Sequence, residues 1–188
     1  MMSLEKVYDY FRSYDSKTYE TAACMGYEPS EEEIQTFENQ YHIKLPDEFR
    51  VFTMSPLGGL YMEVREEIWP QSEAFDVAPF WTFCRGIMVY GLSDVIPDFL
   101  NLRLKTKALH EEGFTDYIPF LSIIGDGDRI FCFDKNNQIV SLDWYETGEA
   151  EVVEGSFSEF LLQQIEALEE RKNQMILTID KKSTTAKS

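Results

Sequence analysis

Three carboxylates, Asp126, Asp128 and Asp134, stand close together in GDGDRIFCFDKNNQI and supply the hard oxygen ligands a divalent cation would take. Their spacing does not suit one. An EF-hand loop needs acids at its first, third and fifth positions, Gly at the sixth and Glu at the twelfth, and neither Asp126 nor Asp134 opens such a series. Asp-Gly before a strand and Asp-Lys-Asn-Asn between strands are ordinary turn chemistry, so no metal is expected. His42 and His110 fall at predicted helix ends, and neither lies in the sequence context of a nucleophile elbow, a zincin helix or a papain-type cysteine. Cys24, Cys84 and Cys132 are odd in number, far apart and without a CxxC pair, which predicts reduced, buried, structural thiols. Gly58 and Gly59 open GGLYMEVREE, which is neither a P-loop nor a dinucleotide fingerprint. No residue set here supports catalysis, and the chain is read as a non-enzyme without cofactor.

What remains is acidity set among aromatic side chains. The 188 residues carry 34 Asp and Glu against 17 Lys and Arg, a formal charge of -17, and 14% of them are aromatic. Phosphate contact needs a basic face, so nucleic acid is excluded as a direct partner. The imbalance is steeper in the body, because Arg171, Lys172, Lys181, Lys182 and Lys187 leave the first 170 residues with 12 bases against 33 acids. Acids cluster at Glu28, Glu31, Glu32 and Glu33, at Glu63, Glu66, Glu67, Glu73 and Asp76, and at Glu146, Glu149, Glu151 and Glu154. Such clusters either keep a surface solvated or steer a basic partner. The middle cluster is the candidate binding face, because Trp69, Phe75, Phe80 and Trp81 alternate with its acids, and aromatic anchors ringed by charge serve as binding hot spots. Core packing is the competing fate of those aromatics.

The elements that must position these residues are legible from periodicity. Leu4, Val7, Tyr8 and Phe11 form one helical stripe from about Leu4 to Tyr14. Ser30 with Glu33 makes a capping box for a second helix that ends near His42, since Leu45 precedes Pro46. Pro46 opens a short third helix, PDEFRVFTM. Gly58 and Gly59 turn the chain into a strand, LYMEV, and IMVYG reads as a short buried strand. Helix is predicted from about Pro97 to Leu109. IPFLSIIG, RIFCFD, QIVSLDWY and AEVVE, parted by GDGD, KNN and ETGE, form a β-meander, and Ser156 with Glu159 caps a last helix. The order predicts a single α+β domain whose antiparallel (mixed) sheet is flanked by helices, with Ile34, Phe37, Phe49, Phe52, Ile123, Phe131, Phe133, Leu142, Phe157, Phe160 and Leu161 in the core. No run approaches the roughly 18 apolar residues of a membrane span. The opening MMSLEKVYDYFRSYDSK lacks a basic region followed by an apolar one, so a cytoplasmic protein is expected.

The ordered motifs SEEEIQTFENQYHIKLPDEFRVFTMSPLGGLY, IPFLSIIGDGDRIFCFD, QIVSLDWY and GSFSEFLLQQI resemble the SUKH superfamily in its Smi/Knr branch. Two features depart from that pattern: Leu57 stands where the family usually has Asn before its Gly pair, and Glu66 to Phe83 has no family counterpart. With the helical stripe before it and the basic composition after it, the resemblance divides the chain into a helical extension (1–27), a SUKH-like domain (28–170) and a basic, solvated tail (171–188). It implies a bacterial immunity protein that binds and neutralises one cognate toxin domain, often a nuclease, without catalysis. Nuclease toxins tend to be basic because they grip phosphate, so an acidic inhibitor suits them. The toxin-binding candidates are Glu63, Glu66, Glu67, Trp69, Glu73, Asp76 and Trp81. The alternative is a cytoplasmic regulatory adaptor of the Smi/Knr type, with weaker partners and no toxin. Affinity separates the two, because silencing a toxin requires nanomolar binding, on the order of -12 kcal/mol. The sequence leaves the oligomeric state open.

Overall fold

The computed structural model describes residues 2–72 and 77–186. Among them the elements follow as α1 (Met2–Ser13), β1 (Tyr19–Ala22), α2 (Glu31–Tyr41), α3 (Asp47–Thr53), β2 (Tyr61–Val64), β3 (Gly86–Val89), α4 (Leu102–Glu111), β4 (Ile118–Ile124), β5 (Arg129–Phe133), β6 (Ile139–Asp143), β7 (Ala150–Val153) and α5 (Phe157–Thr185). All seven strands pair in chain order and every neighbour is antiparallel, so the sheet is an open meander with β1 and β7 at its edges. This is the single-domain α+β fold that the periodicity predicts.

Local chemistry starts the helices where expected. The Ser30 hydroxyl accepts from the Glu33 N–H at 3.2 Å, while the Glu33 carboxylate takes the Ser30 N–H at 2.7 Å. Ser156 and Glu159 repeat the arrangement at the start of α5. His42 ends α2 in the left-handed region at φ 54°, a conformation a C-cap needs and a non-glycine residue rarely takes. Of the glycine pair after α3, only Gly59 has a positive φ, +68°. Gly58 is required for close approach instead, since a Cβ there would lie 2.3 Å from the Thr53 carbonyl oxygen.

One sheet face carries the main core. Phe49 of α3 and Phe157 of α5 meet Phe120 and Phe133 of the sheet, and the Phe120 and Phe133 rings stack at 4.1 Å between centroids. Each such fully buried ring contributes roughly 1.5–3 kcal/mol through apolar burial alone. Adjacent strand residues point to opposite faces, so Cys132 lies on the other side, where it packs with Leu109 of α4, Val140 and Leu142. Glu48 at the start of α3 accepts from the Ser158 N–H (3.1 Å) and hydroxyl (2.7 Å), tying α3 to the first turn of α5.

Several expectations are corrected. The helix predicted from Pro97 to Leu109 is interrupted: a short 3-10 turn spans Asp98–Leu100, and Asn101 then caps α4. The cause is a backbone bridge to Gly91, which accepts from Leu102 and donates to Leu100, holding Asn101 extended. Pro46 is the N-cap of α3 rather than a first-turn residue. Ile123 and Phe131 are only half-buried, although Phe131 still packs on Phe160 at 4.8 Å. Tyr19–Ala22, inside the stretch read as a helical extension, pairs with β2 and completes the sheet. At the far end α5 runs on through Thr185, past the Arg171 at which composition suggests a tail. Arg171 donates to the Cys84 carbonyl at 2.9 Å and Lys172 is buried, whereas residues 181–186 are exposed.

Candidate protein-interaction site

The segment from β2 to β3 holds the predicted binding residues, and the structure sends them in different directions. Glu63 lies in β2, only 16% exposed at its side chain; it accepts from the Tyr61 hydroxyl and stands 3.5 Å from the Arg85 guanidinium. Burial, and then the Glu63 carboxylate, push the Tyr61 phenol up, so it stays a donor to Glu63. Glu66 and Glu67 are exposed in the turn after β2. Trp69 is fully buried in the core and its indole N–H donates to the Thr82 carbonyl at 3.1 Å. It is therefore not a surface anchor. The physical reason is local: a short 3-10 turn at Phe80–Phe83 delivers a carbonyl that satisfies the indole, which makes burial of that large ring favourable. Trp81, from the same turn, lies edge-on to Trp69 at 6.2 Å and is half-buried, while Phe80 is 58% exposed. Glu73, Phe75 and Asp76 lie outside the described residues.

Arg85 is nearly buried beneath this segment and donates to the Val64 carbonyl at 3.0 Å. Its remaining guanidinium nitrogens have no hydrogen-bond partner among the described residues. The Glu63 carboxylate is its compensating charge. A residue that sequence reasoning assigned to steering a partner thus has a structural task as well.

The hairpin joining β6 to β7 has the opposite character. Glu146, Glu149, Glu151 and Glu154 are all exposed, and no cation among the described residues pairs with them. Trp144 and Tyr145 stand beside them, 36% and 70% exposed, with rings 6.0 Å apart. The turn is shaped by Asp143, whose carboxylate accepts from the Glu146 N–H at 2.9 Å and the Thr147 hydroxyl at 3.2 Å. The Glu146 bond first, and the Thr147 bonds with it, hold the Asp143 carboxyl below its ordinary range. Sequence reasoning marked these acids but passed over the aromatic pair, which it took only as the end of the strand QIVSLDWY.

A protein-family model described as the SMI1 / KNR4 family (SUKH-1) matches residues 28–163, most of the chain. The chain belongs to that family. No match was found among curated proteins. The family match covers the helix pair, the sheet from β2 onward and the start of α5, while α1, β1 and most of α5 lie outside it.

The other candidate groups of this SMI1/KNR4 chain are occupied by the fold. Asp126 accepts from the N–H groups of Asp128 and Arg129, and Asp134 from those of Asn136 and Gln138, the turn role predicted for them. His110 bonds the Tyr117 carbonyl through Nε2 at 2.9 Å and packs edge-on against Tyr41, while His42 is exposed as the cap of α2. Cys24, Cys84 and Cys132 are free and buried, and burial pushes all three thiols up, away from the reactive thiolate. Among the described residues no helix is long and apolar enough to cross a membrane.

Proposed function

We propose that this SMI1/KNR4-family chain is a bacterial immunity protein, acting in the cytoplasm, that binds a cognate toxin domain and silences it without catalysis. The observation that carries the reading is acidity on a segment that also bears a half-buried aromatic ring: 34 acids stand against 17 bases, and Glu66 and Glu67, exposed and without a paired cation among the described residues, share the stretch between β2 and β3 with Trp81. A field of that sign accelerates encounter with a basic protein and repels nucleic acid. A nuclease toxin, whose substrate groove must be basic, matches it.

Within that reading Glu66, Glu67 and Trp81 are the described residues that meet the toxin, and Glu63 supports them through Arg85; Glu73 and Asp76, outside the described residues, stay binding candidates from the sequence. Trp69 underlies the face as core, and Trp81 replaces it as anchor. The test is co-expression with the toxin domain encoded beside the gene. The wild-type chain should restore growth. Reversal of Glu66 and Glu67 to Lys should slow association and flatten its dependence on salt, and Trp81→Ala should speed dissociation. Circular dichroism on each variant confirms an intact fold. Growth arrest with the wild-type chain present, or micromolar affinity for the toxin, would exclude the immunity role.

A further inference from the structure

The two edges of the sheet differ in what they leave open. At β1 the Arg65 N–H donates to the Thr18 carbonyl at 2.9 Å, so ladder bonds fall on the 18/65, 20/63 and 22/61 pairs, and the backbone N–H and C=O groups of Tyr19 and Thr21 point away from β2. The Tyr19 N–H is already used by the Asp15 carbonyl at 2.9 Å, and beyond Ala22 the chain folds back to Gly58. That edge offers little to a partner.

At β7 the alternation runs the other way. The Asp143 N–H donates to the Glu149 carbonyl at 3.0 Å, which sets 143/149, 141/151 and 139/153 as the bonded pairs. The Asp134 N–H donates to the Gln138 carbonyl, so even-numbered β6 residues bond β5 and odd-numbered ones bond β7, in agreement. Ala150 and Val152 therefore direct both N–H and C=O out of the sheet, and both are exposed, Val152 at 59%. This edge has no proline and no lysine, the residues that usually blunt one.

We propose that the β7 edge is a docking strand for an extended, basic segment of a partner protein, added as an eighth antiparallel strand. The pleat specifies its sequence. Side chains of Glu149 and Glu151 share one face, and Ala150 and Val152 share the other. A strand laid alongside places residues on the same faces as those it pairs with, so Lys or Arg opposite the acids must alternate with apolar residues opposite Ala150 and Val152. Glu154, just past the strand, extends the acidic stretch. A second copy of this chain fits poorly. In antiparallel registers centred on Glu151 or Val152, the Glu151 side chains of the two copies fall opposite or diagonal to one another on one face. The inference stands on edge geometry and does not need the toxin reading.

The test uses the full chain and a synthetic probe, a blocked octapeptide alternating Lys and Val, against a control alternating Glu and Val. Titration followed by amide NMR should give saturable binding of the Lys-Val peptide, with the largest shifts at the Ala150 and Val152 N–H groups and at least a tenfold preference over the control. Val152→Pro removes one outward donor while leaving the β6 ladder intact, and should weaken binding at least tenfold. Since proline can disturb a strand, a second variant keeps the backbone: joint reversal of Glu149, Glu151 and Glu154 to Lys should invert the preference toward the Glu-Val peptide. Equal binding of the two peptides, shifts centred on another surface, or an unchanged preference in the reversed variant would each overturn the proposal. So would a dimer of the free chain in sedimentation that Val152→Pro dissolves, because the edge would then belong to a second copy.

Discussion

The segment from Glu63 to Phe83 and the hairpin from Asp143 to Glu154 are built from the same materials, acids interspersed with Trp, Tyr and Phe, yet the fold treats them in opposite ways. In the first, Trp69 is core, Glu63 is the counter-charge of a buried arginine and Trp81 is half-buried, so that of its described aromatics only Phe80 stands well out in water. In the second, Trp144, Tyr145 and all four glutamates are exposed. The first segment joins two neighbouring strands inside the sheet, β2 and β3, and Thr82 and Val64 accept from Trp69 and Arg85, whereas the second turns into β7, the edge strand of the sheet among the described residues. Composition reports which residues could form a binding face. Availability of a buried partner decides which of them are taken for packing instead.

The largest effect that sharpens the contrast is on stability. Trp69→Ala should cost about 3–5 kcal/mol, as deletion of a large buried ring does, and it also leaves the Thr82 carbonyl unpaired. Tyr145→Ala, at the 70% exposed ring of the hairpin, should stay within about 0.5 kcal/mol in the same denaturant melts. Equal costs would erase the distinction. On binding the order reverses for the half-exposed ring: Trp81→Ala should lose about 2 kcal/mol of affinity for the partner, seen mainly as faster dissociation by surface plasmon resonance, while Trp69 variants act only through unfolding.

A smaller effect separates the anchored edge from the open one. Glu169 of α5 accepts from the Tyr19 hydroxyl of β1 and from Lys172. Burial opposes ionisation of Glu169, but the bonds from Lys172 and Tyr19 outweigh it and lower its carboxyl from the ordinary 4.5. A carboxyl lowered on folding stabilises the fold above its unfolded value, and the contribution is lost as pH falls through the folded value. Glu169→Gln should therefore cost under about 1 kcal/mol at pH 7, and the difference from wild type should vanish in melts at acid pH. The smallest effect is at the hairpin turn. The Asp143 carboxyl is also lowered, from 3.8, so its support is present above that value and fades below it. Asp143→Asn should speed amide exchange at Glu146 at neutral pH and leave it nearly unchanged in acid.

Sequence by itself determined the features whose partners lie within a few residues. Ser30 with Glu33 and Ser156 with Glu159 close their capping boxes across three residues, and Asp134 holds its turn through Asn136 and Gln138. The β-meander and the α+β class followed from such local signals, and the order of motifs was enough to identify the family. Tertiary structure alone decided what depends on distant partners. Strand β1 exists because Tyr19–Ala22 pairs with the distant β2, and its Tyr19 also reaches Glu169, 150 residues away; α4 begins at Leu102, after the Asn101 cap, because Gly91 bonds the residues on either side of Asn101. Arg171 reaches Cys84 across 87 residues, which turns the start of an apparent tail into packed helix. Trp69 faces inward because Thr82 accepts its N–H, and Glu63 is shielded because Arg85 needs its charge. A hydrophobic or charged side chain specifies only what kind of environment it favours; which neighbour provides it is a property of the assembled sheet and helices.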